Sequence, residues 1–331
     1  MESRFFKCGR LVAIVAVVAM GLVVAASAVC AQSTYPTKFI RLVNPYPAGG
    51  PLDVLAREMM KPMSEQLGQQ FVLDNRPGAG ATLGADIVAK AAPDGYTLLL
   101  SGSPSHVIVP AMMRVPYDGI RDFAPIAMFA TIANLMVAKA GLPVTNLQSV
   151  IDHAKANPGK ITYGSPGNGS IGHLATELLK KLAAINLVHV PYKGGGPAAV
   201  DVMGGHIDLA FVNITAVLPH IQAGRVRAVV MGTRKRSELL PDLPTVEESG
   251  FRGYDAGTWY GVFAPTKTPR AIVNTLHTNL VKAMATPGIK GRLQQQGADI
   301  TLMTPDALTK HLAREYDELV PLIKSIGLTA N

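Results

Sequence analysis

Three glycine-bearing segments hold most of the chain's capacity for chemistry, and each falls where an apolar strand pattern gives way to a helical one. The first is Pro45-Tyr46-Pro47-Ala48-Gly49-Gly50-Pro51-Leu52-Asp53. Glycine lets the main chain turn tightly and approach a ligand with no Cβ in the way. Pro51 pre-sets a first helical turn, and Asp53 lies where a carboxylate favours the helix dipole. The amides of such an opening, with Ala48, Gly49 and Gly50 in the turn, suit an anion. The same residues also suit a plain strand-to-helix turn, and the segment alone leaves both readings open.

The second segment, Tyr163-Gly164-Ser165-Pro166-Gly167-Asn168-Gly169-Ser170-Ile171-Gly172-His173, contains GxGxxG in Gly167, Gly169 and Gly172. A dinucleotide site of this type needs an acidic residue about 20 positions on to hold a ribose. Leu187 to Tyr192 has none. A second helix opening facing an anion is the better reading, with hydroxyls from Ser165 and Ser170. The third segment, Val190-Pro191-Tyr192-Lys193-Gly194-Gly195-Gly196-Pro197, repeats the device. Tyr192 offers a ring face there, while Lys193 reads as a solvated charge.

Catalytic and metal patterns are missing. The sequence has no GxSxG elbow and no HExxH, and its eight histidines are scattered. Its two cysteines, Cys8 and Cys30, both fall in the first 30 residues, so neither a disulfide framework nor a thiolate metal site is expected. No cofactor and no metal are therefore expected. An enzyme whose residues assemble only in space stays open as an alternative, an exported hydrolase being the form it would take.

The elements that must position these segments follow a βαβ rhythm. Strand patterns at 39–43, 71–73 and 97–100 enclose helical patterns at 52–67 and 83–92. The rhythm restarts with a helix at 146–156. Strands at 160–163, 187–190 and 209–212 then alternate with helices at 171–183 and 197–203. Helical patterns at 269–285, 289–296 and 305–326 close the chain. Two α/β units with mostly parallel sheets and a helical tail predict a two-domain protein with a cleft between the domains.

The 331 residues carry 31 Lys+Arg against 23 Asp+Glu, a formal charge of +8, with 48% hydrophobic residues. That length supports more than one core. The positive charge is diffuse. Arg234-Lys235-Arg236 is the only dense cluster and is too short for a nucleic-acid stripe, so no nucleic-acid partner is expected. Arg4, Lys7 and Arg10 precede an apolar run from Leu11 to Ala26 and the small residues Ser27-Ala28-Val29-Cys30-Ala31. This is the pattern of a signal peptide over 1–31, cleaved near Ala31, and it predicts a periplasmic location. An uncleaved anchor is the alternative. Acylation of Cys30 is disfavoured because Val29 is large for the preceding position.

Further signatures accompany the three segments. They are Tyr35-Pro36, Ala56-Arg57, Asn75-Arg76-Pro77-Gly78-Ala79-Gly80, Ala92-Pro93-Asp94-Gly95-Tyr96-Thr97-Leu98, Leu243-Pro244-Thr245-Val246-Glu247, and Trp259 with Ala264-Pro265. In this order they resemble the tripartite tricarboxylate transporter substrate-binding proteins, the Bug family, from Tyr35 to about Leu328. The resemblance implies a type II periplasmic-binding-protein fold whose two α/β domains close on a ligand in the cleft between them. Domain 1 would be discontinuous, 35–133 and 259–331. Domain 2 would be 134–258, with crossings near Asn134 and Thr258.

It also implies a monomeric, non-enzymatic receptor for a small organic carboxylate, delivered to membrane permease subunits. A co-receptor for a membrane sensor would use the same cleft. Family members grip carboxylates with main-chain amides, hydroxyls and waters from two facing loops. Carried onto this sequence, those loops supply Ala48, Gly49 and Gly50, and Ser165, Gly167, Gly169 and Ser170. Asp53 orients the first loop, and Tyr46, Ser103, Tyr192 and Asp208 complete the implied set. Leu52 departs from the small polar residue often found there, which points to a more apolar ligand.

Overall fold

The computed structural model describes residues 35–329. The charged, apolar and small-residue segments read as a signal peptide lie outside the described residues. Strand β1 (Ile40–Asn44) leads through the first glycine turn into α1 (Pro51–Leu67), then β2 (Phe71–Asn75), α2 (Thr82–Ala89) and β3 (Thr97–Ser101). Pro51 occupies the first turn of α1, and its buried side Leu52, Leu55, Ala56, Met59 and Met63 recurs at helical spacing, which is why this stretch packs as a helix. Gly68, left-handed at φ 64, ends it. β1 pairs in parallel with both β2 and β3.

Beyond β3 a π-helical turn, Pro104–Ile108, runs into the short α3 (Val109–Met112), and β4 (Phe123–Ile132) follows. The chain leaves the first sheet after β4, and β5 (Asn134–Lys139) opens a second. There α4 (Leu147–Ala156), β6 (Thr162–Ser165), α5 (Ile171–Ala183), β7 (Val188–Pro191), α6 (Gly195–Met203), β8 (Leu209–Asn213), α7 (Ile214–Gln222) and β9 (Val226–Met231) succeed one another. β10 (Thr258–Pro265) returns to the first sheet, before α8 (Arg270–Met284), α9 (Ile289–Gln295), β11 (Ala298–Met303) and α10 (Pro305–Ile326). The strand orders are β11-β4-β10-β3-β1-β2 and β7-β6-β8-β5-β9.

Both sheets are mixed rather than mostly parallel. β10 is antiparallel to β3 and β4, β11 is antiparallel to β4, and β5 is antiparallel to β8 and β9. These strands escape a period-2 reading because several of them are covered on both faces. β10 is buried at every position and β5 at all but the last, so neither alternates.

Each sheet has its own core. Val43, Leu99, Phe263 and Leu308 pack together at the first, and Tyr163, Leu179, Phe211 and Val230 at the second. α10 joins them. Its start buries Leu308 and Leu312 in the first core, and its end buries Ile323 in the second. Lys181 Nζ of α5 donates to the carbonyl and hydroxyl of Ser325, fastening that end.

Candidate ligand-binding site

A cavity of about 600 Å³ lies between the two sheets. Four helix openings line it: Pro51-Leu52 of α1, Ile171-Gly172 of α5, Gly195-Gly196 of α6 and Thr215-Ala216 of α7. The first amides of a helix have no partner within it, and each opening carries about half a positive charge. Among the described residues of the lining, Lys193 is the only charged side chain, and there is no carboxylate. Tyr46, Leu55, Ile132, Leu218 and Tyr260 add apolar wall. No group of His, Cys, Asp or Glu that could hold a metal occurs among the described residues.

The first turn reaches this geometry through Asp53. Asp53 is 4% exposed, and its carboxylate accepts from the Gly49 amide at 3.2 Å, Asn75 Nδ2 at 2.9 Å and Arg57 Nε at 3.0 Å. Burial alone would raise its pKa, but these bonds hold it below the usual carboxylate range. Asn75 also donates to the Tyr46 carbonyl, so the Asn75-Arg76-Pro77-Gly78 signature supplies a brace for the turn. Gly49 sits at φ +76, a conformation that excludes most side chains. Its amide is taken by Asp53, and that of Gly50 is taken by Pro47 at 3.3 Å. The glycines therefore shape the turn, and the open amides are those of Ala48 and of the first helical turn at Leu52 and Asp53.

The second loop is built the same way. Ser170 caps α5 by accepting from His173 N, while its own amide donates to Gly167 O. The Gly167 amide donates to Ser165 Oγ, and the Gly169 amide to His173 Nδ1 at 3.3 Å. Gly169, at φ +74, leaves no room for a side chain: a Cβ there would stand 2.5 Å from Val109 of α3, across the boundary between the sheets. Beneath the loop the rings of His173 and His189 stack at 3.9 Å, and Ser165 Oγ lies 2.7 Å from His189 Nε2. Burial lowers both histidines to about 4, so both are neutral at pH 7.

Of the site residues expected from the sequence, the cavity brings together Tyr46, Ala48, Gly49, Gly50 and Ser170. Asp53, Ser165, Gly167 and Gly169 stand behind the wall as its frame. Three others face away. Ser103 Oγ donates to Glu315 of α10 at 2.5 Å, and Trp259 Nε1 donates to the same carboxyl, whose pKa burial pushes up. Tyr192 OH donates to Asp201 at 2.6 Å, and burial with that acid raises the phenol to about 12. Asp208 accepts from Thr162 and pairs with Lys139 at 2.7 Å, one residue before β8 begins, whereas the cavity meets β8 at its other end, Asn213. Lys193, read as solvated, is exposed but lines the cavity.

Asn213, Thr215, Tyr260, Gln295 and Gln296 also line the cavity without standing in any of the sequence motifs, and Asn134 and Thr258, expected only as crossing points, join them. Three of these seven are linked: Asn134 Nδ2 donates to Ala256 O at 2.5 Å and to Thr258 Oγ1 at 2.8 Å, and Asn213 Nδ2 donates to Asn134 Oδ1 at 2.8 Å. No local motif marks them, because they come from separate strands and helix ends. Burial pushes the phenols of Tyr46 and Tyr260 well above the usual tyrosine range, so both are neutral hydrogen-bond donors.

Comparison with known proteins gives the family and the fold. The family model described as tripartite tricarboxylate transporter family receptor matches residues 55–328. BugT of Bordetella pertussis is 35% identical over 315 residues, covering 93% of this chain and 96% of that one. A UPF0065 protein in the tcbD-tcbE intergenic region of Pseudomonas sp. is 38% identical over 298 residues, covering 90% and 89%.

Among solved structures, R. palustris Rpa4515 with adipate superposes with a TM-score of 0.83 at 34% identity, covering 89% of this chain and 99% of that one. MatC of Rhodopseudomonas palustris with bound malate gives 0.81 at 30% identity, covering 87% and 100%. The periplasmic binding protein BugD gives 0.82 at 33% identity, covering 90% and 100%. The fold is the two-domain α/β type II periplasmic-binding-protein fold, and the chain belongs to the tripartite tricarboxylate transporter receptor family, which includes the Bug proteins.

Proposed function

We propose that this chain is an exported, monomeric receptor that captures a small organic carboxylate between two domains and delivers it to membrane permease subunits. The observation that carries the reading is the charge pattern of the cavity: four helix openings, one lysine and no acidic side chain. Such a lining stabilises an anion through fixed main-chain dipoles. The domains are 35–133 with 259–331, and 134–258; one chain supplies both sides of the site, so a monomer suffices. Closure on the ligand presents the form that the permease recognises.

The ligand is held by the open amides of Ala48 and the α1 and α5 openings, with Tyr46 and Ser170 beside them. Gly49, Gly50, Asp53, Ser165, Gly167 and Gly169 keep those groups in place. Adipate and malate, found with two of the related structures, are the first acids to try. The basic, apolar and small-residue series over 4–31 supports export, as do the relatives described as periplasmic. Calorimetry of the purified chain against mono-, di- and tricarboxylates should give stoichiometric binding without product. A strain lacking the gene should fail to take up the labelled acid. Binding of no acid in the panel would refute the reading.

A further inference from the structure

We infer that Thr258 and Tyr260 form a second ligand subsite on β10, which reads an acceptor oxygen of the acid beyond the carboxylate held at α1 and α5. This rests on the receptor reading and adds to it where the second contact lies. The two residues are two apart on one strand, so they share a face, and both line the cavity. Trp259 between them points the other way, to Glu315 and His311. Thr258 is 8% exposed and Tyr260 is 6% exposed.

Their hydrogen-bond inventory leaves two protons over. Asn134 Nδ2 is committed to the Ala256 carbonyl, which fixes the amide's orientation, so its contact with Thr258 Oγ1 is a donation to the threonine. Asn213 Nδ2 approaches the same oxygen at 3.4 Å. Thr258 Oγ1 is thus an acceptor on the protein side, and no acceptor for its own O–H occurs among the described residues. The Tyr260 hydroxyl, which lies near the Tyr46 phenol, likewise has no hydrogen-bond partner among the described residues. Both residues line the cavity, so a ligand oxygen can take up these O–H groups in place of solvent. Two neutral donors on one face suit a carboxylate, hydroxyl or carbonyl oxygen equally. The ligand class is therefore a bifunctional acid rather than a simple fatty acid.

Calorimetry of the purified full chain with matched acids tests this: adipate against hexanoate, and malate against butyrate, in the wild type and in T258V, T258S and Y260F. The bifunctional acid of at least one pair should bind more tightly than its partner. T258V and Y260F should each weaken that acid roughly 5- to 100-fold and leave the monoacid unchanged. T258S, which keeps the hydroxyl, should retain the wild-type preference. Equal losses for both members of a pair, no loss in either variant, or monoacids binding as tightly as their partners would overturn the subsite while leaving the receptor reading intact. Failure of all four acids and of the wider panel would overturn the receptor reading itself.

Discussion

Replacement of Asp53 by asparagine separates a framing role from a contact role. If the carboxylate faced the ligand, removing its charge would relieve repulsion and tighten binding. The structure predicts the reverse. Asp53 is buried, and its two oxygens accept from the Gly49 amide, Asn75 and Arg57. An asparagine keeps one acceptor and turns an NH2 toward donors.

Arg57 is 60% exposed at its side chain, so its ion pair adds little. The Gly49 and Asn75 bonds are each of the charge-assisted kind, about 1.5–3 kcal/mol. Loss of one of them corresponds to about 2 kcal/mol, or roughly a 30-fold loss of affinity if turn order and binding are coupled. Calorimetry with the tightest acid of the panel measures it, with far-UV circular dichroism to verify the fold. Unchanged or improved affinity in D53N would refute the framing role.

Three further outcomes follow from the same geometry. G49V should weaken binding at least as much, because φ +76 strains a β-branched residue, although no atom lies within 4 Å of the added Cβ; native-like affinity would show that the turn tolerates another conformation. T215D replaces a buried hydroxyl that has no hydrogen-bond partner among the described residues with a carboxylate at the α7 opening, and should lower acid affinity by roughly tenfold or more, with a steeper loss at low salt; salt-independent binding would contradict it. The stacked His173 and His189 have native pKa values near 4, below the unfolded value of about 6.5. The unfolded chain therefore binds more protons between those limits, and melting temperature should fall as pH drops from about 6.5 toward 4, less so in H189Q. A flat profile in the wild type would exclude the stack as its source.

Much of the frame was legible in the residues. Pro51 and the apolar side of α1 predict that helix, and Thr304-Pro305 and Gly327 bound α10 where its pattern begins and ends. The glycine segments were legible as turns that open helices, but not how their amides are spent: Gly49 and Gly50 donate within the loop, to partners that only the folded turn brings near. Strands β4, β5 and β10 were illegible because a strand covered on both faces has no alternation to read. Ser103, Tyr192 and Asp208 carry groups suited to a ligand, yet Glu315, Asp201 and Lys139 claim them, and those partners lie 9 to 212 residues away in sequence. Asn134, Asn213 and Thr258 become a unit only when two chain crossings and a helix start meet at the cavity wall.

A crystal structure of the complex with the tightest acid is the most direct test of the central claim. The account predicts a carboxylate oxygen within hydrogen-bond distance of main-chain amides at both the α1 and α5 openings, with no arginine or lysine as its principal partner. A carboxylate seated on Lys193 alone, or outside the cavity, would contradict it.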